Sequence, residues 1–195
     1  MNLIPASAES AIRAAHIIQE GGVVAHATET CYGFACDLSN IDAVKRLFTL
    51  KKRDTTKPVS ALFPDIYTAK PYVQWNTTIE EYATKYLPGP YTLVVCISPD
   101  APLQLHACPV GSDTIGIRIS SSTIARDIAI HARMPISTTS ANSAGGNNCY
   151  SAADILAQFP NGSPQPDLII DSGELPHIPS SSVIDLTGIS PRTLR

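Results

Sequence analysis

The run Leu87-Pro88-Gly89-Pro90 sets a hard boundary in the chain, and the segments on its two sides limit the fold class. Before it, Ile79, Tyr82, Ala83, Tyr86 and Leu87 recur at helical spacing, which predicts a helix over 77–87. Thr77 with Glu80, and Thr78 with Glu81, have the spacing of a capping box at its start. Proline lacks an N–H to donate and clashes with the preceding turn, so Pro88 and Pro90 end this helix. After the boundary, residues 91–97 form a β-prone apolar run, read as a buried strand.

The same reading along the rest of the chain predicts helices over 7–20, 42–50, 122–132 and 151–159, with Ser7 and Ser151 as caps. Strands are predicted over 23–28, 58–63, 114–120, 135–140, 168–171 and 183–186. Helices and strands alternate irregularly, and some strands follow one another directly. This pattern favours a mixed α/β (α+β) chain, with one open mixed sheet flanked by helices, over a strict doubly wound fold.

Composition narrows the class further. A chain of 195 residues is expected to form one domain over 1–195, since domains commonly hold about 100–200 residues. Hydrophobic residues make up 44% and charged residues 16%, an ordinary globular balance. The net charge of −3 disfavours extended nucleic-acid binding, though it allows a local basic cluster. The five cysteines have no paired spacing, which suggests free thiols in a reducing compartment. The first twenty residues include Glu9, Arg13, His16 and Glu20, unlike a signal peptide. No apolar run approaches the ~20 residues a bilayer requires, so the expectation is a cytoplasmic protein without a membrane partner.

The usual catalytic signatures are missing from the sequence: there is no GxxxxGK(S/T), no GxGxxG, no GxSxG and no HxxxH. A lone histidine such as His26 reads as a structural residue. Three segments remain. Lys51-Lys52-Arg53-Asp54-Thr55-Thr56-Lys57 lies between a helix and a strand; if it is extended, Lys51 and Arg53 point the same way. Such cations can hold a triphosphate, or the segment can be a solvated basic loop. In 114–120, three isoleucines share one strand face while Thr114, Gly116, Arg118 and Ser120 share the other. Arg118 could grip a substrate carboxylate, form an internal salt bridge, or reach water from an edge strand. In 137–142, Ser140 and Asn142 lie two apart and could face one cavity; alone, the segment reads equally as a loop.

The order of these segments is more specific than any one of them. Thr28-Glu29-Thr30-Cys31-Tyr32-Gly33 precedes Lys51-Lys52-Arg53. Then come Leu87-Pro88-Gly89-Pro90-Tyr91-Thr92, Gly116-Ile117-Arg118, Ser140-Ala141-Asn142 and Ser181-Ser182-Val183-Ile184-Asp185. This ordered set of TxTxYG, KxR, PGPxT and SxN resembles the YrdC/YciO-type family of threonylcarbamoyl-AMP synthases over nearly the whole chain. The resemblance implies a YrdC-like fold, a single open twisted sheet with helices around a concave, positive cleft. It also implies that ATP, L-threonine and bicarbonate react, with magnesium, to threonylcarbamoyl-adenylate and pyrophosphate. Partner proteins would then use the product to modify adenosine 37 of tRNA.

The family pattern places Thr30, Arg118, Ser140 and Ser181 around threonine, with Arg118 on its carboxylate. It places Arg53, Lys57, Thr114, Asn142, Ser151 and Arg195 around ATP. Lys51 and Arg53 are its catalytic candidates, neutralising charge on phosphates or bicarbonate. No resident metal site is implied. Leu62 stands where many members carry a histidine that helps to bind threonine. Lys57-Pro58-Val59-Ser60 and the Leu87–Thr92 run are closer to the YciO branch, and this raises a second expectation. In it, the protein binds RNA and keeps the cleft without the chemistry, and its binding weakens with salt.

Overall fold

The computed structural model describes residues 2–195. Its strands are β1 (Asn2–Pro5), β2 (Val24–Ala27), β3 (Tyr32–Ala35), β4 (Ser60–Leu62), β5 (Tyr91–Cys96), β6 (Thr114–Arg118), β7 (Ile136–Ser140), β8 (Leu168–Asp171), β9 (Ser182–Asp185) and β10 (Arg192–Thr193). Its helices are α1 (Ala8–Gln19), α2 (Ile41–Lys51), α3 (Ile66–Ala69), α4 (Thr77–Tyr86), α5 (Thr123–Ala132) and α6 (Ala152–Gln158). The strands form one sheet in the order β1-β8-β2-β3-β7-β4-β6-β5-β9-β10. Pairing is parallel at β1–β8, β8–β2, β4–β6 and β5–β9, and antiparallel elsewhere. This is the open mixed sheet with flanking helices that the irregular alternation predicts. No helix among the described residues is long and apolar enough to cross a membrane.

The two sheet faces bury different partners. On one face, Phe34, Ala61, Leu93, Val95, Ile115 and Ile117 join Val44 and Leu47 of α2 and Ile79 and Ala83 of α4 in the larger cluster. On the other, Val24, Leu62, Leu168 and Ile170 pack under Ala11, Ala14 and Ile18 of α1 and Ala125 and Ile128 of α5. Each fully buried Leu or Ile contributes on the order of 1.5–3 kcal/mol relative to exposure, so each helix layer is held by its apolar stripe. The α1–α5 layer leaves uncovered the stretch of its face formed by Ser60, Gly116 and Thr92, and this stretch becomes the floor of a cavity.

Local chemistry sets the helix starts. Ser7 Oγ caps α1 by accepting from Ser10 N, and Ser10 Oγ in turn accepts from Ser7 N. Ser151, the predicted cap of α6, forms the same reciprocal box with Asp154. At α4 the structure differs from expectation, because Asn76, not Thr77, is the cap. The side-chain Oδ1 of Asn76 accepts from Ile79 N at 2.9 Å. Glu80 is thereby freed to accept from Trp75 Nε1 and to pair with Lys70 Nζ at 2.8 Å.

A second correction concerns 51–57, which is not extended. Lys51 is the last residue of α2, and Lys52 turns through a left-handed conformation at φ 50. Lys51 is buried at the end of the helix, while Arg53, beyond the turn, reaches the cavity. Strand β1 escapes the sequence reading because its four residues are short and mostly exposed, with no alternation to detect.

Candidate active site

On the uncovered sheet face lies a cavity of about 320 Å³. Its floor comes from Ser60 of β4, Gly116 of β6 and Thr92 and Val94 of β5. Strand alternation puts Thr114, Gly116 and Arg118 on this side, while Ile115 and Ile117 belong to the core on the other. The walls come from the loop after β2 (Thr30, Cys31), the loop after α2 (Arg53), the end of β7 (Thr138–Ser140) and the segment entering β9 (Ser180, Ser181). Arg195 returns to the wall because Val183 N donates to its carbonyl and its Nε donates to Ser181 O at 3.1 Å.

Gly116 keeps the floor open. A β-carbon there would lie 2.5 Å from Ser60 Oγ and 2.6 Å from Thr92 Cγ2. Valine suits a strand, so a loss in Gly116→Val would report on the floor and not on backbone propensity. The expected outcome is a stability loss of about 1–3 kcal/mol together with abolished small-ligand binding. Thermal melting and ligand titration measure the two effects.

Arg118 sits on β6, between β4 and β5, so the edge-strand reading of this residue is excluded. It is 7% exposed, and its Nη2 donates to Glu29 Oε1 at 2.6 Å and to Thr30 Oγ1 at 3.1 Å. An internal salt bridge is therefore present, and Arg118 still lines the cavity. Burial opposes ionisation of Glu29, but the Arg118 charge and hydrogen bonds from Ser120 and Arg118 outweigh it and hold its carboxyl below the usual range. His26 is wholly buried, and burial drives its pKa down to about 4, so it is neutral and structural. Cys31 faces the cavity, but burial raises its thiol pKa, which leaves it a poor nucleophile.

Arg53 reaches the cavity with its guanidinium braced by backbone carbonyls. Its Nε donates to Lys57 O at 2.9 Å and its Nη2 to Pro58 O at 2.8 Å. Lys51 lies below the wall, 2% exposed. Its Nζ donates to Ser140 O, to Asn142 O at 2.8 Å and to Asn142 Oδ1 at 3.3 Å. Ser140 Oγ donates to Asn142 Oδ1 at 2.6 Å, so Lys51 knits together the turn that presents Ser140.

Three acceptors match the three N–H donors of an ammonium. Burial, and after it the Arg53 charge, pull the Lys51 pKa from 10.5 to about 7. For a base whose folded pKa is depressed, the unfolded chain binds more protons between the two values. The Lys51 penalty is full below about pH 7 and fades as pH rises toward 10.5. Wild-type stability should therefore rise relative to that of Lys51→Met from pH 7 to 10; denaturant titrations across that range on both proteins measure it.

Of the residues singled out in the sequence, the fold brings Thr30, Arg53, Thr114, Arg118, Ser140, Ser181 and Arg195 to one cavity. Lys51 and Asn142 support it from beneath. Lys57 is exposed and Ser151 is engaged in its helix cap, and neither is part of the wall. Leu62 points to the α1–α5 layer and is fully buried, so a threonine contact is not available from it. Sequence reasoning missed Ser60, Thr92, Thr138, Thr139 and Ser180. The register Ser60↔Gly116 and Ser60↔Thr138 brings three of the wall positions together, and only strand pairing reveals it. Glu29 also went unassigned, although it lies between two motif threonines.

Residues 16–195 match the Sua5/YciO/YrdC family, described as Telomere recombination. The chain belongs to the Sua5/YciO/YrdC family. A Methanocaldococcus jannaschii relative, provisionally named threonylcarbamoyl-AMP synthase, is 30% identical over 169 residues, covering 87% of this chain and 76% of that protein. P. abyssi Sua5 complexed with L-threonine superposes with a TM-score of 0.88 at 30% identity, covering 100% of this chain and 56% of that one. This chain thus spans just over half the length of that Sua5. E. coli YciO superposes at 0.81 with 23% identity, covering 100% and 92% of the two chains, a likeness of fold. The TxTxYG, KxR and SxN segments are far apart in this sequence, and the fold brings all three to or beneath one cavity wall.

Proposed function

We propose that this chain is an ATP-dependent synthase of L-threonylcarbamoyl-adenylate, a nucleotidyl transfer that feeds tRNA modification. One observation carries the reading: a single cavity gathers three arginines, Arg53, Arg118 and Arg195, with the hydroxyls of Thr30, Ser140 and Ser181. Such a set suits a carboxylate and a polyphosphate side by side, with hydroxyls for the amino acid's polar groups. The name of the M. jannaschii relative and the threonine held by P. abyssi Sua5 support the choice of substrate.

In this reading the threonine amine and bicarbonate condense to a carbamate with loss of water. A carbamate oxygen attacks the α-phosphorus of ATP, the bond to the β-phosphate oxygen breaks, and pyrophosphate leaves; magnesium would enter with ATP as part of the substrate and offset phosphate charge. The protein's part is positioning and charge stabilisation: Arg118 takes the threonine carboxylate, while Arg53 and Arg195 face the phosphates. Threonine-dependent pyrophosphate release from ATP, magnesium and bicarbonate, compared across the amino acids, tests it. No release, with tight salt-sensitive RNA binding instead, would favour the RNA-binding reading.

A further inference from the structure

We propose that Glu29 is a positioning residue, which clamps one side of Arg118 so that only the guanidinium Nη1 is offered to the ligand carboxylate. The inference rests on the synthase reading of the cavity.

Glu29 is not part of the cavity wall, and its side chain is 15% exposed. Its Oε1 takes one hydrogen of Arg118 Nη2, and Thr30 Oγ1 takes the other. Its Oε2 accepts from Ser120 Oγ, and that hydroxyl accepts from Ser122 N at 3.1 Å. The carboxylate is thus tied to the end of β6 and the start of α5, two fixed elements. Arg118 Nε is buried without a partner. Arg118 Nη1 makes no hydrogen bond within the described residues, and it is not among the atoms buried without a partner. The donors left for a ligand are therefore those of Nη1.

Stability alone does not explain the pair, because a buried ion pair is weak evidence of net stabilisation. Holding the guanidinium in advance removes the rotamer freedom a loose arginine would lose on binding. Glu29 also offsets the Arg118 charge. No carboxylate among the described residues lies in salt-bridge range of Arg53 or Arg195. Phosphates are drawn to those two arginines, which no carboxylate among the described residues holds in a salt bridge, and the carboxylate is left to the directed N–H groups of Arg118.

The test is calorimetric titration of L-threonine, then steady-state kinetics, on wild type, Glu29→Ala and Glu29→Gln. Glu29→Ala should weaken threonine binding about 10-fold or more and raise its KM alike, with the ATP KM within about 2-fold. Glu29→Gln keeps an acceptor for Nη2, so threonine affinity should return to within about 3-fold of wild type. It lacks the offsetting charge, so pyrophosphate should compete against threonine about 5-fold more strongly than in wild type. Should Glu29→Ala fail to fold, Ser120→Ala loosens the same carboxylate and should raise the threonine KM alone, by about 3-fold.

An unchanged threonine affinity in Glu29→Ala overturns the role of Glu29 and leaves the synthase reading standing. Parallel losses in threonine KM, ATP KM and melting temperature, with glutamine no better than alanine, overturn it too. A wild-type protein that binds no threonine overturns both.

Discussion

Arg118→Ala is expected to raise the threonine KM about 100-fold, a loss of about 2.7 kcal/mol, with the ATP KM little changed. Arg118 is the cation on the cavity side of β6, and the Glu29 and Thr30 acceptors already fix its guanidinium. Alanine removes the carboxylate's partner and also strands Glu29. With Arg118 gone, burial acts on the Glu29 carboxyl with only Ser120 and a backbone hydrogen bond to oppose it, so its pKa rises. The wild-type carboxyl titrates below its ordinary 4.5, so its contribution to stability is present above that pH and lost as pH falls through the lower folded value. Arg118→Ala should flatten this acid limb. Threonine titration and acid melting curves check the two effects separately, and an unchanged threonine KM would remove Arg118 from the site.

Arg53→Ala is expected to lower kcat about 100-fold while leaving threonine affinity near wild type. The reaction builds charge on phosphoryl oxygens, and Arg53 is a cavity cation with no carboxylate among the described residues in salt-bridge range. Its bonds to Lys57 O and Pro58 O hold the guanidinium before any ligand arrives, which is what electrostatic stabilisation of a transition state requires. Arg53→Lys keeps the charge but loses the planar fork that makes both carbonyl bonds, so it should recover only part of kcat. Single-turnover pyrophosphate release at saturating threonine measures this. A variant that keeps kcat but loses nucleotide affinity would make Arg53 a binding residue only.

Much of this site was legible because strands and motifs leave short-range marks. Arg118 stood out as a cation in an alternating isoleucine strand, and the alternation itself gave the face it would occupy. The Ser151 cap was legible for the same reason, since a capping box is written within four residues. Glu29 was not legible, because its partners Arg118 and Ser120 lie about ninety residues away and no local pattern joins them. The relation of Arg53 to Lys51 was not legible, because it depends on the left-handed turn at Lys52, a conformation that a non-glycine residue seldom adopts. The α4 cap moved by one residue because several oxygen-bearing residues compete at 76–78, and the helix start decides among them.

From sequence alone came the class of fold, most of the elements but not β1, β3, α3 or β10, the family resemblance and the chemical types able to bind an anion. These depend on period, breakers and ordered motifs, which act over a few residues or accumulate along the chain. Tertiary structure decided which side chains meet: that β6 is internal, that Ser60, Gly116 and Thr138 lie abreast, and that Arg118 is already engaged by Glu29. The reason is strand pairing itself. A one-residue change of register turns every side chain of a strand to the opposite face, and that register is set by neighbours distant in the chain.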